Sequence, residues 1–82
     1  ARLYYGRLLI DLNRFQEARA ELKVFAAQSA ENLQAMMQMV FEALRADQSD
    51  AARVMTEVVL EVDPEARRRY PQFDELMRRA GF

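Results

Sequence analysis

The stretch Asn13-Arg14-Phe15-Gln16-Glu17-Ala18-Arg19 returns in altered form as Asp47-Gln48-Ser49-Asp50-Ala51-Ala52-Arg53, and the interval from Ala18 to Ala52 is 34 residues. The same offset carries Val24 onto Val58. It keeps apolar character at Leu3/Met37, Tyr5/Met39, Leu9/Ala43, Ile10/Leu44 and Phe25/Val59. A period of this length marks supersecondary units that bury their apolar faces by stacking on one another. The fold therefore turns on what one unit is.

Around these two polar stretches, apolar residues follow helical spacing. Tyr5, Leu8, Leu9 and Leu12 fall at i, i+3, i+4, i+7 and define one face of a first helix over about residues 2–12. Asn13-Arg14 breaks that pattern, and Asn tolerates the left-handed backbone of a tight turn. A second helix follows over about 15–28, with Ala18, Leu22 and Phe25 on one face. Ser29 is a fitting N-cap for a third. In the third, Leu33, Met36, Met37, Val40, Phe41 and Leu44 hold the period for more than three turns, with Met39 and Ala43 beside them. So wide an apolar arc predicts either neighbours on two sides or an exposed binding face. Ser49 or Asp50 can cap a fourth helix running to about Val62. Asp63-Pro64 closes it and can open another, with Pro at the first helical position. A last helix over about 72–80 carries Phe73, Leu76, Met77 and Ala80, and Gly81 can supply its left-handed stop. The expectation is an all-α chain of about five helices, with short turns that make consecutive helices antiparallel neighbours.

These residues resemble the tetratricopeptide family. The first unit has the small residue of the family's helix A at Gly6, the turn-aromatic-"EA" run at Asn13 to Ala18, and an apolar helix-B residue at Leu22. The second has the small helix-B residue at Ala52 and the closing Asp63-Pro64. The resemblance covers about residues 2–64. It departs from the family at Arg2 and Met36, where a large aromatic is usual, at Val40, where a small residue is usual, and at Ala30, where Pro is common. It implies a right-handed array of helical hairpins in a single domain: repeat 1 over 1–30, repeat 2 over 31–64, and a capping helix over 65–82 that hides the apolar flank of the last repeat.

Composition bounds the chemistry. The net charge of −1 gives no long-range attraction to nucleic acid or to anionic lipid. There is no cysteine, hence no disulfide or thiolate metal site, and no histidine. Serine and threonine are limited to Ser29, Ser49 and Thr56, and no glycine-rich phosphate loop occurs. Carboxylate pairs at Glu17/Glu21 and Glu57/Glu61 have the spacing of solvated helix faces. Arg67-Arg68-Arg69 is the densest basic cluster, with Asp63 and Glu65 near enough to offset it. The expectation is a non-enzymatic protein without metal, cofactor, nucleic-acid partner or membrane insertion. The high arginine and alanine content suggests a bacterial source, and cytoplasm and periplasm both stay open. The opening at Ala1 rather than Met predicts a piece of a longer chain.

In tetratricopeptide arrays, helix A of each hairpin lines the concave side and a few fixed positions meet the ligand. Carried over, these are Leu3, Arg7, Ile10 and Asp11 in the first unit, and Gln34, Met37, Phe41, Leu44 and Arg45 in the second. The Lys and Asn of the family's carboxylate clamp are missing there. What the resemblance implies instead is an apolar trough of Leu3, Ile10, Met37, Phe41 and Leu44, edged by Arg7, Asp11 and Arg45, that binds a partner helix or peptide. The alternative is a structural role, either self-association or the terminal segment of a longer array, since two repeats fall short of the three or so that stabilise a solenoid.

Overall fold

The computed structural model describes residues 2–82, with side chains from Tyr4 onward, and all of its regular structure is helical. The helices are α1 (Arg2–Asp11), α2 (Phe15–Ala27), α3 (Ala30–Arg45), α4 (Ser49–Val62), the single turn α5 (Ala66–Arg69) and α6 (Pro71–Ala80). The sequence predicts five helices. The sixth arises at Pro71, whose ring drives Tyr70 to an extended φ of −123° and ψ of 87° and separates α5 from α6. Pro71, and not Pro64, occupies a first helical position. Pro64 lies in a turn where Asp63 Oδ1 accepts the Glu65 N–H at 3.0 Å.

The turns explain the repeat. Asn13 (φ 60°) and Asp47 (φ 59°) are the non-glycine residues with left-handed backbones. After each, the chain closes with the same two bonds: Asn13 N–H to Ile10 C=O (2.9 Å) with Arg14 N–H to Leu9 C=O (2.8 Å), then Asp47 to Leu44 (3.2 Å) with Gln48 to Ala43 (2.8 Å). These are Schellman closures, in which a left-handed residue lets its own amide and the next one satisfy the last carbonyls of the helix. Gly81 (φ 78°) makes the third, with Gly81 bonded to Arg78 (3.2 Å) and Phe82 to Met77 (2.9 Å). Residues 13, 47 and 81 are spaced by 34 each time, so α6 ends in the register of a third first-helix.

Ser29 caps α3 as expected, its Oγ accepting the Asn32 N–H at 3.0 Å. Neither Ser49 nor Asp50 caps α4. The cap position is Gln48, whose backbone completes the Schellman turn and whose side chain makes no cap bond.

Packing begins with α1 on α2 and α3 on α4, and α2 and α4 then pack on each other. Arg19 pairs with Glu57 at 2.5 Å and Lys23 with Glu61 at 3.9 Å. Both pairs span 38 residues, so α2 and α4 run parallel, with partners offset by one helical turn beyond the 34-residue register. The Glu57/Glu61 pair therefore meets α2 cations. Among the described residues α1 touches α4, whereas no comparable packing joins α1 to α3. The result is a slab of 30 × 28 × 17 Å, about two helices thick.

The core is centred on Leu9, Leu22, Met36, Val40, Met55, Val58, Val59 and Met77, all essentially inaccessible. Of the apolar face of α1, only Leu9 is buried. Gly6, Leu9 and Ile10 face inward, while Tyr5, Leu8 and Leu12 are 47%, 52% and 56% exposed. The reason is packing: among the described residues α1 offers only one side to α2 and α4.

Candidate partner-binding groove

Between α3 and α6 the surface opens into a groove of about 440 Å³. The α3 wall is Gln34, Met37, Gln38 and Phe41, residues at i, i+3, i+4, i+7 and therefore on one helix face. The opposite wall is Tyr70 with Gln72, Phe73, Glu75, Leu76 and Arg79 of α6. Met37 and Phe73 are buried at its base, Tyr70 and Leu76 are half-buried, and Phe41 stands 40% exposed. A volume of this size accommodates a few side chains of a ligand.

Electrostatically the groove is quiet. Its two charged residues pair with each other, Arg79 Nε lying 3.2 Å from Glu75 Oε1. Its polar rim is otherwise the three amides Gln34, Gln38 and Gln72, each able both to donate and to accept. Arg45 sits with its guanidinium carbon 5.6 Å from the centre of the Phe41 ring, a cation–π contact that orients the phenyl group.

The turn below α4 sets the angle of the α6 wall. Asp74 holds two guanidinium groups, Arg67 of α5 at 2.7 Å and Arg78 of α6 at 3.0 Å. The hydrogen bond from Arg67 is the main cause that keeps the Asp74 carboxyl below its usual range; partial burial opposes it and the charge of Arg78 adds to it. The basic run is thus spent internally: Arg67 on Asp74, Arg68 on Glu65 at 2.7 Å, and Arg69 on Asp63 at 3.4 Å. Where α1 and α3 present Gly6 and Val40 to the second helix of their hairpins, α6 has this charged Asp74.

The sequence-derived positions divide into two places. Gln34, Met37 and Phe41 come together in the groove, with Arg45 stacked on Phe41 and Leu44 half-buried against the core. Arg7, Ile10 and Asp11 lie elsewhere. Arg7 donates to Gln48 Oε1 and stands 3.8 Å from Asp11. Ile10 is buried, and with Asp11 it borders a small polar cleft between the two hairpin turns, beside Asp47, Gln48 and Ser49. Leu3 falls outside the described side chains. The single trough running over both units is therefore absent from the described residues: α1 leans on α4 and not on α3, which carries its side chains away from the α3 face. The α6 half of the groove was missed in the sequence. Its signal was the 34-residue offset applied once more, which takes Gln38 to Gln72 and Arg45 to Arg79.

No family model matches this chain, and no curated protein or solved structure matches it either. Among the described residues no group of carboxylates is placed to hold a metal ion, and no helix is long and apolar enough to cross a membrane.

Proposed function

We propose that this chain is a non-catalytic protein-binding module of tetratricopeptide-like build, and that it seats an apolar-anchored helix or peptide of another protein between α3 and α6. The observation that carries the reading is Phe41: a large ring, 40% exposed, held by Arg45 at the mouth of a groove whose base is Met37 and Phe73. Exposed aromatics above an apolar base are the kind of anchor on which interface energy concentrates. The glutamines of the rim supply hydrogen bonds to a ligand's main chain. The mutual pairing of Glu75 and Arg79 leaves little net charge for steering, so selection rests on shape and apolar contact. Proteins of this build use consecutive first helices to hold ligands, and the third Schellman turn at Gly81 supports treating α3 and α6 as such a pair.

The test is selection of binders from a library of displayed amphipathic peptides, followed by titration against variants. Phe41→Asp and Leu76→Asp both keep the helical circular dichroism and weaken the selected peptide at least tenfold, while Leu8→Ser on α1 leaves it unchanged. Binding that survives both groove substitutions rejects the groove.

A further inference from the structure

The first helix carries a second apolar surface, separate from the groove. Tyr4 is 77% exposed, and with Tyr5, Leu8 and Leu12 it forms a stripe along the outer side of α1. The 34-residue offset shows how unusual this is. The matching residues of α3 are Gln38, Met39, Glu42 and Ala46; Gln38, Glu42 and Ala46 are solvent-exposed there and Met39 is half-buried against the core. The outward side of α3 is thus mainly polar or small, whereas that of α1 is apolar at Tyr4, Tyr5, Leu8 and Leu12.

We infer that this stripe is a self-association surface on which two copies of the chain pair, α1 against α1 and antiparallel. Three observations select a second copy as the occupant. First, Tyr4, Leu8 and Leu12 are spaced by four residues on either side of Leu8, so the stripe is its own complement. In an antiparallel pair centred on Leu8, each Tyr4 meets the Leu12 of the other copy and the two Leu8 side chains meet each other, which is the isologous arrangement of a two-fold dimer. Second, the same register sets Tyr5 of one copy level with Asp11 of the other but on opposite flanks, so the centre of the seam is apolar and the polar groups stay at its rim. Asp11, exposed and 3.8 Å from Arg7 of its own chain, stays in solvent there. Third, covering these side chains in both copies removes on the order of 1,000 Å² from water, the lower bound for a specific interface. The groove lies on the other hairpin, so pairing through α1 leaves two grooves open per dimer.

The experiment is analytical ultracentrifugation of the 82-residue chain from micromolar to millimolar concentration. The expected mass rises from 9.6 kDa toward twice that value. Leu8→Glu opposes two carboxylates across the symmetry axis and raises the dissociation constant about 100-fold with the helical signal intact. Should Leu8→Glu lose helix, Tyr4→Glu takes its place, since Tyr4 is the most exposed of the set. The register is read from a charge exchange: Tyr4→Glu and Leu12→Lys each weaken the dimer alone, whereas the double variant recovers it at low salt and loses it at high salt. Within one chain these positions are eight residues apart, so only pairing between copies brings them together. A mass of 9.6 kDa at every concentration overturns the inference and gives the stripe to a different partner or to a covering segment of a longer chain. So does a dimer that the folded stripe variant leaves intact, or a double variant that stays monomeric.

Discussion

Leu22 occupies the space that a β-carbon on Gly6 would need: placed there, such an atom would lie 2.5 Å from Leu22 Cδ2 and 2.6 Å from its Cγ. The absence of a side chain on α1 is what allows α2 to approach. Thirty-four residues later the corresponding residues are Val40 and Thr56, both buried, so a larger residue on α3 is matched by a smaller one on α4.

From this pair follows the first prediction. Gly6→Ala gains up to about 1 kcal/mol of helix propensity, but forcing a methyl into Leu22 costs about 1–3 kcal/mol. The net result is a lower urea midpoint. In a Leu22→Ala background, where the Cγ and Cδ2 that fill the site are both gone, the same substitution is neutral or stabilising. Equal effects of Gly6→Ala in both backgrounds would refute the coupling.

The left-handed residues give a second. Asp47→Gly removes the steric cost of a β-carbon at φ 59° and stabilises the chain by about 0.5–1 kcal/mol. Asn13→Val, which places a β-branched side chain at φ 60°, destabilises it by about 1–2 kcal/mol. Thermal denaturation of the two variants should move in opposite directions.

Thr56 is 5% exposed and its Oγ1 has no hydrogen-bond partner among the described residues. Thr56→Val keeps the shape and replaces an unsatisfied hydroxyl by a methyl, for an expected gain of about 1 kcal/mol. A loss of stability on this substitution would show that the hydroxyl is satisfied.

Asp74 gives a pH dependence. A carboxyl whose folded pKa lies below its unfolded value near 3.8 stabilises the fold in its charged form. The contribution is complete above the unfolded value and vanishes as pH falls through the lower, folded one. Asp74→Asn is therefore less stable than the parent at neutral pH, and the gap closes in acid. A gap that stays constant with pH would mean that Asp74 acts through packing alone.

Much of the fold was legible because helices announce themselves locally. The period of Leu33, Met36, Met37 and Val40, the cap at Ser29 and the stops at Asn13 and Gly81 each depend on a few neighbouring residues. What could not be read depends on which helix lies beside which. Tyr5, Leu8 and Leu12 satisfy the period of a buried face, yet it is Leu9 and Ile10 that are buried, because among the described residues α1 has one covered side. Of the expected site, Gln34, Met37 and Phe41 share a groove since they share a helix. Arg7, Ile10 and Asp11 were joined to them by the family pattern, and the lean of α1 onto α4 separates them. The α6 wall was invisible to local pattern, being set by Pro71 and by the Arg67–Asp74 pair that ties α5 to α6.

The three left-handed residues also give the molecule a unit of length. A block cut from Arg14 through Asp47 begins just after one such turn and ends on the next, so a second copy spliced in behind Asp47 meets Arg14 where Gln48 stood before, in backbone of nearly the same shape (φ −97°, ψ 64° against φ −103°, ψ 70°). The joint needs no linker and leaves no amide unsatisfied. Lengthening by whole blocks would carry α6 and its groove wall along unchanged, whereas an insertion of any other size within a helix would turn one face away from its partner.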